Sequence, residues 1–389
     1  MQGHRRLLAV LFANFLVFGA AAIVIGATAP KIIRQFGWTY TAMGAVLAAG
    51  SAGYFASTFL CGVLVHAWGP RLVICATLLL QVVGLWLFGS RPSVLANLLA
   101  VTLVGVGQGG TEIVTNYCVV RMERPGGSRL MNLVHAAFPA GAIAGSLGMG
   151  LLLEGGVAWQ AMYRVLAVLC LLLAGGLSLC TFSGMRPESP GESSRAFLRR
   201  LLGHRLLLLY AAIILTYVGV EIGVSSWISE YFVGVLHADV ALGAAAVSLL
   251  WAGLLLGRFA VVAGWGRRRQ GPLLLLSAGT TSLALCLALL ARTPLVAGTF
   301  FLLTGAGCAA VYPVIVVLVG QAFPRHQGMA IGVVSTVGGV GSFAFPFLMA
   351  AIAQEYGMAA GFWFVAAMSV LLMAAAAAAA GLQPRSGRP

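Results

Sequence analysis

Twelve runs of about 20 apolar residues, separated by short polar turns, limit what this chain can fold into more than any motif does. They lie near 7–29, 41–65, 72–89, 94–119, 130–153, 160–183, 206–229, 240–263, 272–291, 294–320, 328–353 and 358–381. Each is long enough to cross a hydrocarbon layer as a helix, where every backbone polar group must be satisfied within the segment. Of the 389 residues, 60% are hydrophobic and 8% charged, against roughly 25% charged in a soluble domain. A water-soluble fold, a disordered chain and a disulfide scaffold are therefore excluded. The first run is longer than the apolar stretch of a secretory signal and eleven more follow, so it reads as a retained span. The expected fold is an all-α membrane protein of twelve transmembrane helices in two six-helix halves.

The net charge of +14 does not point to nucleic acid. With the N-terminus placed in the cytoplasm, eighteen of the 23 basic residues fall on the inner side. Only Lys31, Arg34, Arg91, Arg164 and Arg292 fall outside. That bias is the positive-inside pattern and puts both termini in the cytoplasm of a multi-pass plasma-membrane protein. All seven cysteines lie in the spans without a CxxC pair, so they read as small buried hydrophobes.

The longest polar stretch, Gly184–Arg205, divides a first half (1–183) from a second (206–389) as a cytoplasmic linker. The halves echo one another. Gly105-Val-Gly107 with Glu112 five residues beyond returns as Gly305-Ala-Gly307 with Tyr312, an offset of 200. Trp68-Gly69 is matched by Trp265-Gly266, and Gly145-Ser146 by Gly341-Ser342. The shared order favours a duplicated six-helix unit, as in transporters built from parallel repeats.

The nine acids decide where chemistry can sit. Seven fall in loops or at span ends, Glu230 among them, where solvation is expected. Glu112 and Glu221 lie within spans four and seven, where an ionised carboxylate costs about 2.5–3.5 kcal/mol at a helix centre. Gln108, Glu112 and Asn116 follow at spacing four and share one stripe of span four. Asn132 and His135 share a face of span five. Tyr217, Glu221 and Ser225 repeat the spacing in span seven, with Trp227 beyond, and Tyr312 stands in span ten. Carboxylates, amides, hydroxyls and aromatic rings of this kind suit a hydroxylated solute. Trp227 also fits an interfacial belt, His135 an interfacial histidine, and Arg258 a loop anchor. The one lysine, Lys31, belongs to no phosphate-binding loop, and no metalloprotease or serine-elbow motif occurs, so an enzyme or ATP-driven pump is not expected.

Four segments carry a resemblance: Gly105–Asn116 (GVGQGGTEIVTN), Tyr217–Tyr231 (YVGVEIGVSSWISEY), Trp251–Arg258 (WAGLLLGR) and Gly305–Pro313 (GAGCAAVYP). On them the chain resembles the major facilitator superfamily over nearly its whole length, and within it the fucose–proton and glucose/mannose–proton symporters. The loop signature of that superfamily, an acid and then a base before its last glycine, reads His66 and Ala67 here. Ile25–Pro30 lacks the span-one carboxylate of the fucose carrier, which favours the glucose-like branch. The resemblance implies that spans one, four, seven and ten line a central cavity, bringing Glu112, Glu221 and Tyr312 near one another.

The expected function is import of a hexose-like sugar with a proton by alternating access. Glu112 first and Glu221 second are the expected proton carriers, and the ten polar and aromatic residues named in the spans form the sugar site. A lipid bilayer, the sugar and the coupling ion are the expected partners, with no cofactor, no metal and a monomeric state. The same features fit an efflux carrier for amphipathic compounds, and a transport-inactive sensor on the same scaffold.

Overall fold

A computed structural model describes residues 2–123, 129–182, 204–263, 270–323 and 327–382. Within them lie α1 (Gln2–Phe36), α2 (Tyr40–Trp68), α3 (Pro70–Leu87), α4 (Val94–Met122), α5 (Arg129–Glu154) and α6 (Gln160–Ser178). The second series comprises α7 (Arg205–Gly234), α8 (Val240–Ala263), α9 (Gln270–Leu290), α10 (Pro294–Cys308), α11 (Val311–Ala322), α12 (Gln327–Tyr356) and α13 (Met358–Leu382). Among the described residues lie 12 membrane-length apolar spans, α10 and α11 together making the tenth. Most of the linker predicted at 184–205 lies outside the described residues.

Short polar side chains set the helix starts. Thr39, Ser93 and Thr293 each accept a hydrogen bond from the backbone N–H three residues on, and Asp239 Oδ1 accepts from Leu242 N at 2.6 Å. Glu123 is more than a solvated loop acid, because its Oε2 accepts from Leu130 N (2.7 Å) and Met131 N (3.2 Å) at the start of α5. Asn97 ties down the turn before α4: its Oδ1 accepts from Gly89 N at 2.7 Å and its Nδ2 donates to the Arg91 and Ser93 carbonyls.

Glycines at the helix crossings make the repeat visible in packing. A side chain at Gly105 would strike the Gly50 carbonyl of α2, and one at Gly305 would strike the Leu250 carbonyl of α8. Gly107 lies against Thr77 and Gln81 of α3, as Gly307 lies against Ser277 and Thr281 of α9. Gly141 meets the Leu16 carbonyl of α1, and Gly341 meets that of Leu215 of α7. The same close approaches thus recur about 200 residues apart. Large apolar side chains such as Phe59 (80% exposed) and Leu295 (82%) point away from the protein, as a lipid-facing surface requires.

The described residues form two compact units, one of Met1–Gly191 with Ser226–Ser248, the other of Glu192–Ser225 with Leu249–Pro389. The last turns of α7 and the first of α8 therefore pack with the first unit. Ser229 donates to the Ala27 carbonyl of α1 at 2.9 Å, and Gly150 of α5 faces the Ala241 carbonyl.

Candidate functional site

In the first unit, Glu112 is half-buried on α4 and accepts a hydrogen bond from the Tyr54 hydroxyl of α2. One turn further, Asn116 Oδ1 and His135 Nε2 of α5 lie 2.8 Å apart. Aromatic rings join the two polar pairs. His135 meets Phe15 edge-on (5.1 Å), Phe15 meets Phe18 (5.5 Å), and Phe18 contacts both Phe138 (4.8 Å) and Tyr54 (6.5 Å). Four helices thus contribute to one polar and aromatic cluster. Gly109 makes room for it, since it abuts the Tyr54 carbonyl and lets α2 approach α4 closely.

Gln108, 9% exposed, lies on the same helix with its Nε2 unpartnered within the protein. The Thr111 and Thr115 hydroxyls share that condition. Buried polar groups are normally satisfied, so this stretch of α4 carries unused hydrogen-bonding capacity within a turn of Glu112. The side chain of Asn132 lies outside those described.

In the second unit, Tyr217 and Glu221 stand one turn apart on α7, with the phenol in hydrogen-bonding relation to the carboxylate. Arg258 of α8 is the cation whose charge reaches both. It stands within the last two turns of α8, one helix away from an acid, in a medium that screens charge poorly. Ser225 accepts from Trp251 Nε1 at 2.9 Å, so its hydroxyl fastens α7 to α8. Tyr312 of α11 is 37% exposed, and its hydroxyl lies 2.9 Å from that of Ser335 on α12.

Two expectations change. Glu230 is not solvated: it is 4% exposed, and its Oε1 accepts from the Tyr40 hydroxyl at 3.0 Å. Trp227 is fully buried with its ring 6.0 Å from that of Tyr40, which removes it from a lipid-facing belt and places it in the first unit. Sequence reading missed Tyr54, Phe18 and Phe138. The one available signal was Tyr54 itself, a phenol amid the small residues of Gly50-Ser-Ala-Gly53.

Comparison with known proteins agrees with this architecture. The family model of the Major Facilitator Superfamily matches residues 10–307 and 265–389. An uncharacterised MFS-type transporter of Yersinia pestis is 25% identical over 376 residues, covering 93% of this chain and 94% of the relative. The membrane protein MosC of Rhizobium meliloti is 26% identical over 144 residues, 37% of this chain and 34% of the relative. Among solved structures, a point mutant of the nucleoside transporter NupG superimposes with a TM-score of 0.82 at 13% identity, covering 97% of this chain and 99% of that one. A D-xylose–proton symporter gives 0.75 at 17% identity, over 95% and 96%. The chain belongs to the Major Facilitator Superfamily, and is a multi-pass membrane transporter of that fold.

Proposed function

We propose that this transporter imports a hexose-like sugar together with a proton, with Glu112 as the coupling acid. The observation that carries the reading is the Tyr54–Glu112 hydrogen bond, which holds a carboxyl group on an apolar helix beside unpartnered amide and hydroxyl groups. An ionised carboxylate there is costly, and taking up a proton removes the cost. Proton binding and solute binding at neighbouring groups are then linked energetically. Asn116, His135 and Gln108 supply donors and acceptors for sugar hydroxyls. Glu221, with the Tyr217 phenol one turn away on the same helix, is the second candidate proton carrier beside Glu112.

Rocking of the two six-helix halves (1–183 and 206–389, joined by 184–205) gives alternating access, with both termini in the cytoplasm and the monomer as the working unit. Known neighbours are consistent with this class of cargo, since one is a xylose–proton symporter and another a nucleoside transporter. The test is uptake of labelled hexoses by proteoliposomes with an imposed pH gradient. Accumulation that collapses with the gradient is expected. Gradient-independent uptake removes the proton from the reading. Export of amphipathic compounds with no hexose movement replaces it by efflux, and no substrate-dependent flux or stabilisation at all leaves a sensor.

A further inference from the structure

Glu230 is a buried acid that the proposed coupling site does not use. It stands one turn before the end of α7, with Oε1 held by Tyr40 of α2 at 3.0 Å and Oε2 unpartnered within the protein. Tyr40 is braced by the Trp227 ring, edge-on at 6.0 Å, and Ser229 bonds the Ala27 carbonyl of α1. These contacts fasten the last turns of α7 to the end of α1 and the beginning of α2. Nine residues, about 13.5 Å of helix, separate Glu230 from Glu221, so the two acids lie on opposite faces and at different depths.

We infer that Glu230 is a second proton-binding site, and that its protonated form latches the end of α7 onto α1 and α2 through Tyr40. The physical reason is an asymmetry of cost. An ionised carboxylate with one buried oxygen unpartnered loses far more solvation than a neutral acid with one unused O–H. The phenol can donate to Oε1 in either state, so the proton belongs on Oε2. Arg34 of α1 is the charged group acting on this site, and Tyr40 of α2 the titratable one. Loss of the proton leaves a charge in a dry contact, which is relieved when the helix end separates and water enters. The inference goes beyond the sugar–proton reading and holds for any solute.

The test uses the full chain in lipid nanodiscs, without substrate. Infrared difference spectra between acid and alkaline buffer report protonated carboxyl groups, and Glu230→Gln should remove one carboxyl band that Glu112→Gln leaves in place. Hydrogen-exchange mass spectrometry at one pH then reads peptides spanning the α1–α2 turn and the end of α7. Tyr40→Phe should speed their exchange roughly two- to tenfold, the range expected from losing one net hydrogen bond. Glu230→Gln, which keeps an oxygen for the tyrosine and carries no charge, should exchange no faster than the parent. The inference is overturned if Glu230→Gln leaves every carboxyl band intact, if it loosens the helix end as much as Tyr40→Phe, or if Tyr40→Phe changes nothing. None of these outcomes depends on which solute is carried, so failure here is separate from failure of the sugar assay.

Discussion

Tyr54 on α2 donates its hydroxyl hydrogen bond to Glu112 on α4, across a helix crossing that Gly105 and Gly109 hold close. The contact joins packing to chemistry. Without the glycines the two helices stand further apart, and the carboxyl group loses its donor. The bond belongs to a charge-accepting class worth about 1.5–3 kcal/mol.

Tyr54→Phe should therefore preserve the fold, since the ring still packs on Phe18, and lower the initial uptake rate about tenfold or more. Initial-rate uptake with matched expression checks it. A variant as fast as the parent means the phenol has no part in the transport step.

Gly105→Ala and Gly305→Ala should each destabilise the protein by about 1–3 kcal/mol, because the added carbon meets backbone carbonyl oxygen that cannot move aside. Gly175→Ala meets nothing within 4 Å and should be neutral or slightly stabilising. Thermal unfolding in detergent, read by intrinsic fluorescence, separates them. Equal midpoints in all three would remove the claim that the repeated glycines set the crossings.

If Arg258 and Glu221 are paired, Arg258→Ala should lower the unfolding midpoint by several degrees, and Arg258→Ala with Glu221→Gln should recover much of that loss. A double variant no more stable than Arg258→Ala alone contradicts the pairing. The non-additive part of the cycle is the measured coupling.

Asn116→Ala and His135→Ala should each weaken uptake, and the double variant should be little worse than either, since the 2.8 Å contact makes them one unit. Solute titration of each variant gives the comparison. Strictly additive losses would show that the two side chains act separately.

The architecture is legible in the sequence because its physical signals are local. Twelve apolar runs show where helices cross, and the paired glycines at 105/107 and 305/307 mark crossings that recur in both units. The stripe of polar residues on span four can be read from spacing four alone. Its partners cannot, because nothing in sequence indicates that Tyr54 of α2 or Phe138 of α5 turns toward that stripe. Glu230 misleads for a related reason: nearness to a span end suggests solvent, yet it is buried and held by Tyr40 of another helix.

The most direct measurement is sugar-driven proton entry into proteoliposomes, followed with a trapped pH-sensitive dye beside sugar counterflow in the same vesicles. The parent protein should acidify the lumen when sugar is added outside. Glu112→Gln should abolish the acidification while exchange of labelled for unlabelled sugar persists. Acidification by Glu112→Gln equal to that of the parent would contradict the assignment of the coupling proton to this side chain.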